Sequence, residues 1–167
     1  SLSKDCEFVL VAGDLFDSPT PSSSLVLEVL EAIGSIKKTV IVIPGNHDHG
    51  SLGTVWHRKE FRRYQEKMAP NLIILLERKP YELDQVVLLP CPLVRKKDNQ
   101  DPTSWIREID WSLLPSKPRI VLAHGSIQGF EGKNYEFDQI SQSVQNNFID
   151  LDSLPINEID YIALGDW

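Results

Sequence analysis

The feature that most constrains this chain is Val40-Ile41-Val42-Ile43, an apolar β-branched run that gives way within one step to Pro44-Gly45-Asn46-His47-Asp48. A run this short, apolar at every position and closed by Pro-Gly, predicts a strand buried on both faces that ends in a tight turn. Pro44 cannot extend a hydrogen-bonded ladder, and Gly45 reaches backbone conformations that other residues avoid. An amide, an imidazole and a carboxylate are therefore presented at a strand tip. In open α/β sheets the crevice beyond the carboxyl ends of the strands is where ligands bind.

The same arrangement recurs. Glu7-Phe8-Val9-Leu10-Val11-Ala12 runs into Gly13-Asp14-Leu15-Phe16-Asp17, Arg119-Ile120-Val121-Leu122-Ala123 into His124-Gly125, and Tyr161-Ile162-Ala163-Leu164 into Gly165-Asp166. Between the first two strands, Leu25, Leu27, Val29, Leu30 and Ile33 form an amphipathic segment behind a serine-rich loop. This predicts a serine-capped helix ended by Gly34, and hence a right-handed β-α-β unit with parallel strands. Residues 54–68 carry Trp56, Phe61, Tyr64 and Met68 at helical spacing, which predicts a second helix with an aromatic core face. Residues 72–75 and 86–89 read as two further strands, and Trp105, Ile106, Ile109 and Trp111 as a short amphipathic segment. Arg95-Lys96-Lys97 offers charges that could touch a phosphate backbone, but a basic triplet set among acids reads first as a solvated loop. The glycine-rich residues 126–132 read as a loop over a site.

With 167 residues, 41% of them hydrophobic, the chain can build one compact core, and no linker divides residues 1–167. The formal net charge of -7 argues against a broad basic face for gripping nucleic acid. It does not argue against local contact, because carboxylates gathered around metal ions are neutralised by them. No run is long enough for a membrane span. Cys6 and Cys91 lie in apolar contexts far apart, as free thiols would, so a reducing, cytoplasmic setting is expected. The chain starts at Ser1 without an initiator Met and stops just beyond an apolar strand, so a piece of a longer protein is also expected.

If the strands ending at Asp14, Asn46, His124 and Asp166 lie side by side, their polar groups converge on one crevice. Carboxylates meeting there repel unless a cation compensates them. Hard oxygen and imidazole donors without thiolate suit Mn, Fe, Zn, Co or Mg rather than a structural cysteine site.

Taken in order, Gly13-Asp14-Leu15-Phe16-Asp17, Gly45-Asn46-His47-Asp48, Ala123-His124-Gly125 and Ala163-Leu164-Gly165-Asp166-Trp167 resemble the calcineurin-like metallophosphoesterases, and among them the DNA-repair exonuclease branch. The Gly-Asn-His-Asp motif is the most specific part. The resemblance implies an α/β fold, a β-sandwich of mixed, largely parallel sheets flanked by helices, here incomplete at both ends. It also implies two divalent metal ions, Mn first among them. Asp14 resembles the carboxylate that bridges the two ions, and Asn46 and His124 look like ligands of the second. His47 is similar to the family's catalytic histidine, which protonates the leaving oxygen; Asp48 is expected to hold its ring, and Asp17 to support the first loop. Asp166 stands where the family has the first histidine of a Gly-His-x-His motif and is expected to ligate. The family's opening Asp-x-His has no counterpart upstream of Glu7, so the chain as written is expected to be impaired. The expected function is hydrolysis of a phosphodiester, with DNA the candidate substrate. The rival readings are a small-molecule phosphomonoesterase, a cyclic-nucleotide phosphodiesterase, and a binding scaffold that has lost catalysis. Nothing in the sequence fixes the oligomeric state.

Overall fold

A computed structural model of the chain describes residues 6–127 and 146–165. Strand β1 (Phe8–Ala12), helix α1 (Ser23–Ser35) and strand β2 (Thr39–Ile43) come first, followed by helix α2 (Lys59–Met68) and strand β3 (Leu72–Ile74). These three strands form one sheet in the order β1-β2-β3, all parallel. Strands β4 (Tyr81–Glu82), β5 (Val87–Cys91) and β6 (Arg119–His124) begin a second sheet. A small parallel pair, β7 (Ser126–Ile127) and β8 (Phe148–Ile149), stands apart. Strand β9 (Tyr161–Gly165) completes the second sheet in the order β4-β5-β6-β9, where only the β4-β5 pair is antiparallel.

Alternate side chains of a strand point to opposite faces, and that period sorts the apolar residues into three cores. Ile41 and Ile43 of β2 face Leu88 and Leu122 of the second sheet, with Leu10 and Ala12 of β1 packed beside them, forming the interior of the sandwich. Val40 and Val42 point the other way, to Leu30 and Ile33 of α1 and to Trp56 and Phe61. On the outer face of the second sheet, Leu89, Cys91, Val121 and Ala123 pack under Ile106 and Leu154. Strand β2 is thus apolar and buried from Val40 to Ile43 because both of its faces are covered there. The architecture is mixed α/β, two largely parallel sheets face to face with the helices outside, as expected.

Four local expectations are modified. The strand tips belong to two sheets, β1 and β2 in one and β6 and β9 in the other, so they meet across the sandwich rather than along one edge. Helix α1 is capped by Ser22, whose hydroxyl accepts from the Leu25 amide, but it runs through Gly34 to Ser35. The glycine is needed for contact instead, since a Cβ there would lie 1.9 Å from the Met68 carbonyl oxygen. The segment read as one helix over 54–68 is a 3-10 turn, Val55–His57, an extended Arg58, and then α2. Tertiary hydrogen bonds override the periodicity there: the Val55 amide donates to the Pro19 carbonyl (2.8 Å) and Arg58 Nη1 to the Pro21 carbonyl (3.3 Å). Strand β5 passes through Pro90, which pairs with Leu122 beyond the last residue of β5 paired to β4, so its missing N–H removes no bond to β4. Among the described residues no helix is long and apolar enough to cross a membrane.

Candidate metal centre

The tips of β1 and β2 are tied together before any ligand is considered. Gly13 (φ 90°) and Asp14 (φ 52°) both take the left-handed region, which turns the chain sharply at the end of β1. Asp14 Oδ1 then accepts the His47 amide at 2.9 Å. Space is as tight as the backbone: a Cβ on Gly13 would lie 2.2 Å from His124 Nδ1, and one on Gly45 would lie 2.2 Å from Asp14 Oδ1. Glycine at both positions lets two strand tips and an imidazole occupy one small volume.

Asp48 is fully buried. Its Oδ1 accepts the Gly45 amide (2.8 Å) and its Oδ2 the Phe16 amide (3.1 Å), while its backbone carbonyl accepts the indole N–H of Trp56. The expectation that Asp48 holds the His47 ring is corrected on this point. Its carboxylate is used on the two loop backbones, fixing the turn that carries Asn46 and His47, and the ring Nδ1 of His47 instead faces the Asp17 carbonyl at 3.2 Å. The contact of Asp17 with the site is made by its main-chain carbonyl. Burial pushes the Asp48 carboxyl above the usual carboxylate range; the amides of Gly45, Phe16 and Leu15 pull it down, and the Asp14 carboxylate adds to the rise.

His124 arrives from the other sheet. Its Nδ1 lies 2.8 Å from the Ala12 carbonyl oxygen, an atom that can only accept, so Nδ1 carries the proton. The opposite nitrogen, Nε2, lies 2.9 Å from Asn46 Oδ1 and 3.4 Å from Asp14 Oδ2. In the neutral imidazole that places an unprotonated nitrogen and two oxygens face to face with no hydrogen between them. With the Asn46 amide oxygen turned toward the ring, such a cluster of acceptors suits a cation, either a proton on the ring or a metal ion. The donor set, one imidazole, one amide oxygen and one carboxylate oxygen, fits a hard or borderline divalent ion. The Ala12 carbonyl behind the ring is the outer partner that metal-binding histidines generally have.

The structure therefore brings together Asp14, Asn46 and His124, with His47 on the same turn as Asn46. Asp166 lies outside the described residues, as does the glycine-rich loop beyond Ile127; β9 ends with Gly165 in register with His124. Among the described residues there is no group of three His, Cys, Asp or Glu side chains that could hold a metal ion. The third donor here is the amide oxygen of Asn46.

Several contributors escaped the sequence reading. Trp56 reads there as core, and its indole N–H also anchors the Asp48 turn. Ala12 contributes a main-chain atom, which no side-chain pattern reveals. Lys96 and Lys97, read as a solvated loop, line a cavity of about 200 Å³ together with Asn46 and His124. Burial pushes the pKa of nearby His49 down, and the Lys96 ammonium adds to that.

No curated protein matches the chain. The calcineurin-like phosphoesterase family matches it over residues 2–167, which takes in both sheets and every strand tip described above. The chain thus belongs to the calcineurin-like phosphoesterases, metal-dependent hydrolases of phosphoesters.

Proposed function

We propose that the protein hydrolyses a phosphodiester, with a nucleic-acid strand as the candidate substrate, at a dinuclear centre of divalent ions, manganese first among them. The observation that carries this reading is the convergence of His124 Nε2, Asn46 Oδ1 and Asp14 Oδ2, acceptors with no hydrogen to share. Asn46 and His124 would hold one ion, and Asp14 would reach both. Asp166 would add a ligand from the tip of β9. When bound, the ions would supply positive charge to acidify an attacking water and to offset the charge growing on the phosphoryl oxygens.

The chain's own residues account for the remainder. With Nδ1 of His47 set against the Asp17 carbonyl, the ring would act as an imidazolium, its second proton, on Nε2, passing to the leaving oxygen as the ester bond breaks and leaving a neutral ring. Asp48 acts at one remove by fixing the turn. The preference for a diester rests on the resemblance of the ordered motifs to the exonuclease branch. A reducing, cytoplasmic compartment is proposed on Cys91, a fully buried free thiol.

The test is hydrolysis by the Mn2+-loaded protein of bis(p-nitrophenyl) phosphate, p-nitrophenyl phosphate and single-stranded DNA, before and after His47→Ala. The expected outcome is faster cleavage of diesters than of the monoester, and a fall in kcat of about 10²–10⁴ in the variant with metal content retained. An unchanged rate in the variant removes His47 from the chemistry. A faster rate on the monoester overturns the diester assignment.

A further inference from the structure

In a chain of net charge -7, basic residues gathered beside a set of metal donors call for an account. The cavity of about 200 Å³ that opens on Asn46 and His124 is walled by Lys96 and Lys97. A second cavity, of about 410 Å³, is lined by Arg78, Arg95 and, again, Lys97. Lys97 therefore belongs to both, and the two cavities adjoin through it. The single acidic residue lining the second cavity, Asp98, has its carboxylate 3.9 Å from Arg78.

The basic loop is held in place. Asn147 takes the left-handed conformation (φ 57°) and grips the loop at three points. Its side-chain oxygen accepts the Asp98 amide (2.9 Å), its side-chain nitrogen donates to the Lys96 carbonyl (3.0 Å), and its own amide donates to the Asp98 carbonyl (2.7 Å). Its carbonyl in turn accepts the Ser126 amide (3.1 Å), two residues beyond His124. The lysines are thus fastened to the same strand end that presents the imidazole. A loop of solvated charges needs no such clamp.

We propose that these adjoining cavities form one track for the phosphates that flank the scissile one, so that the substrate is a nucleic-acid strand. Lys96 and Lys97 contact the phosphate next to the centre, and Arg95 and Arg78 the phosphates beyond it. Asn147 is the positioning residue that keeps the track aligned with the centre. A substrate with a single phosphate would leave the cations of the second cavity unused. This inference rests on the proposed phosphodiesterase reading, and its test reads binding separately from turnover.

The experiment measures fluorescence anisotropy of a labelled single-stranded oligonucleotide on the Mn2+-loaded protein across a salt series, alongside turnover of the oligonucleotide and of bis(p-nitrophenyl) phosphate. The variants are Lys96→Ala/Lys97→Ala, on an exposed loop, and Asn147→Gly, which tolerates the left-handed backbone while deleting both side-chain bonds. The double variant is expected to weaken oligonucleotide binding about tenfold or more and to lower the slope of log affinity against log salt by about 0.7 for each phosphate contact removed. The loss of kcat/KM on the oligonucleotide should exceed that on the small diester by about tenfold, and Asn147→Gly should lower the salt slope in the same sense. Equal losses on the two substrates, or an unchanged salt slope, overturn the track. Tighter binding of inorganic polyphosphate than of the oligonucleotide overturns the assignment to a nucleic-acid strand. If the unmodified protein binds the oligonucleotide in this way yet cleaves no phosphoester, the hydrolase reading fails while the track stands.

Discussion

The two halves of the centre are built differently. The β1 and β2 tips, which carry Asp14, Asn46 and His47, are fastened within their own sheet by a buried carboxylate that accepts two backbone amides and by the amide of His47 on Asp14. The β6 tip, which carries His124, is oriented by contacts across the sandwich, from Nδ1 to the Ala12 carbonyl and from Nε2 to Asn46. The first half is fixed by the local fold of its turns. The second is in place only while the two sheets keep their spacing. Loss of the turn anchor should therefore damage the whole fold, whereas loss of the spacing should damage the centre first.

The largest effect is expected from Asp48→Ala. Two amides become buried donors without acceptors, each worth about 1–3 kcal/mol, so unfolding in urea should show a loss of about 2–5 kcal/mol with an unchanged m-value. Asp48→Asn, which keeps one acceptor and the shape, should recover part of it. A loss below about 1 kcal/mol would show that the turn holds without its carboxylate, and the contrast between the halves would dissolve.

Gly165→Ala probes the seam. A Cβ there would lie 1.8 Å from the Ala12 carbonyl oxygen, so backbone must move, and the movement is at the residue that orients His124. Stability should fall by about 1–3 kcal/mol, as for other overpacked sites. Calorimetric Mn2+ affinity should fall by about 10–100-fold, the range seen when a ligand's outer partner is lost. Retention of full affinity would mean that the imidazole is held by something other than the sheet spacing.

The last effect, absent at neutral pH and growing only in alkali, distinguishes the cores rather than the tips. Cys91, in the outer core of the second sheet, has its thiol pushed up by burial from 9.0 to about 12. As pH rises above 9.0, the unfolded chain releases this proton while the folded chain keeps it. Stability should therefore decline across that interval, by up to about 1.4 kcal/mol per pH unit. Cys91→Ala should flatten this part of the urea-derived stability profile. An unchanged slope would place the alkaline loss elsewhere.

Much of this was legible in the sequence because β2 is apolar on both faces and then turns polar at once, a pattern that fixes both the strand and the place of the ligands. Asp14, Asn46 and His124 stand out because the pattern recurs at the ends of three strands and because their motifs resemble the family, and the structure brings them within contact of one another. The division of the strand tips between two sheets was not legible in the residues themselves, since period-2 patterning says which face is buried but not against which neighbour. Asp48 was misassigned because its proximity in sequence to His47 says nothing about where its oxygens point. The start of α2 was misplaced because Val55 and Arg58 bond to loops more than 30 residues away, which periodicity cannot register. Lys96 and Lys97 read as solvated because the residue that clamps their loop, Asn147, is 49 residues from Asp98.

The Ala12 carbonyl has one more consequence. By accepting from Nδ1 of His124 it feeds electron density through the ring to the opposite nitrogen and makes that nitrogen a stronger donor. The oxygen belongs to the peptide chain, so no replacement of the side chain at position 12 can delete it. This hold on the imidazole is lost only when one strand slides past the other, which couples the geometry of the centre to the mechanics of the sandwich.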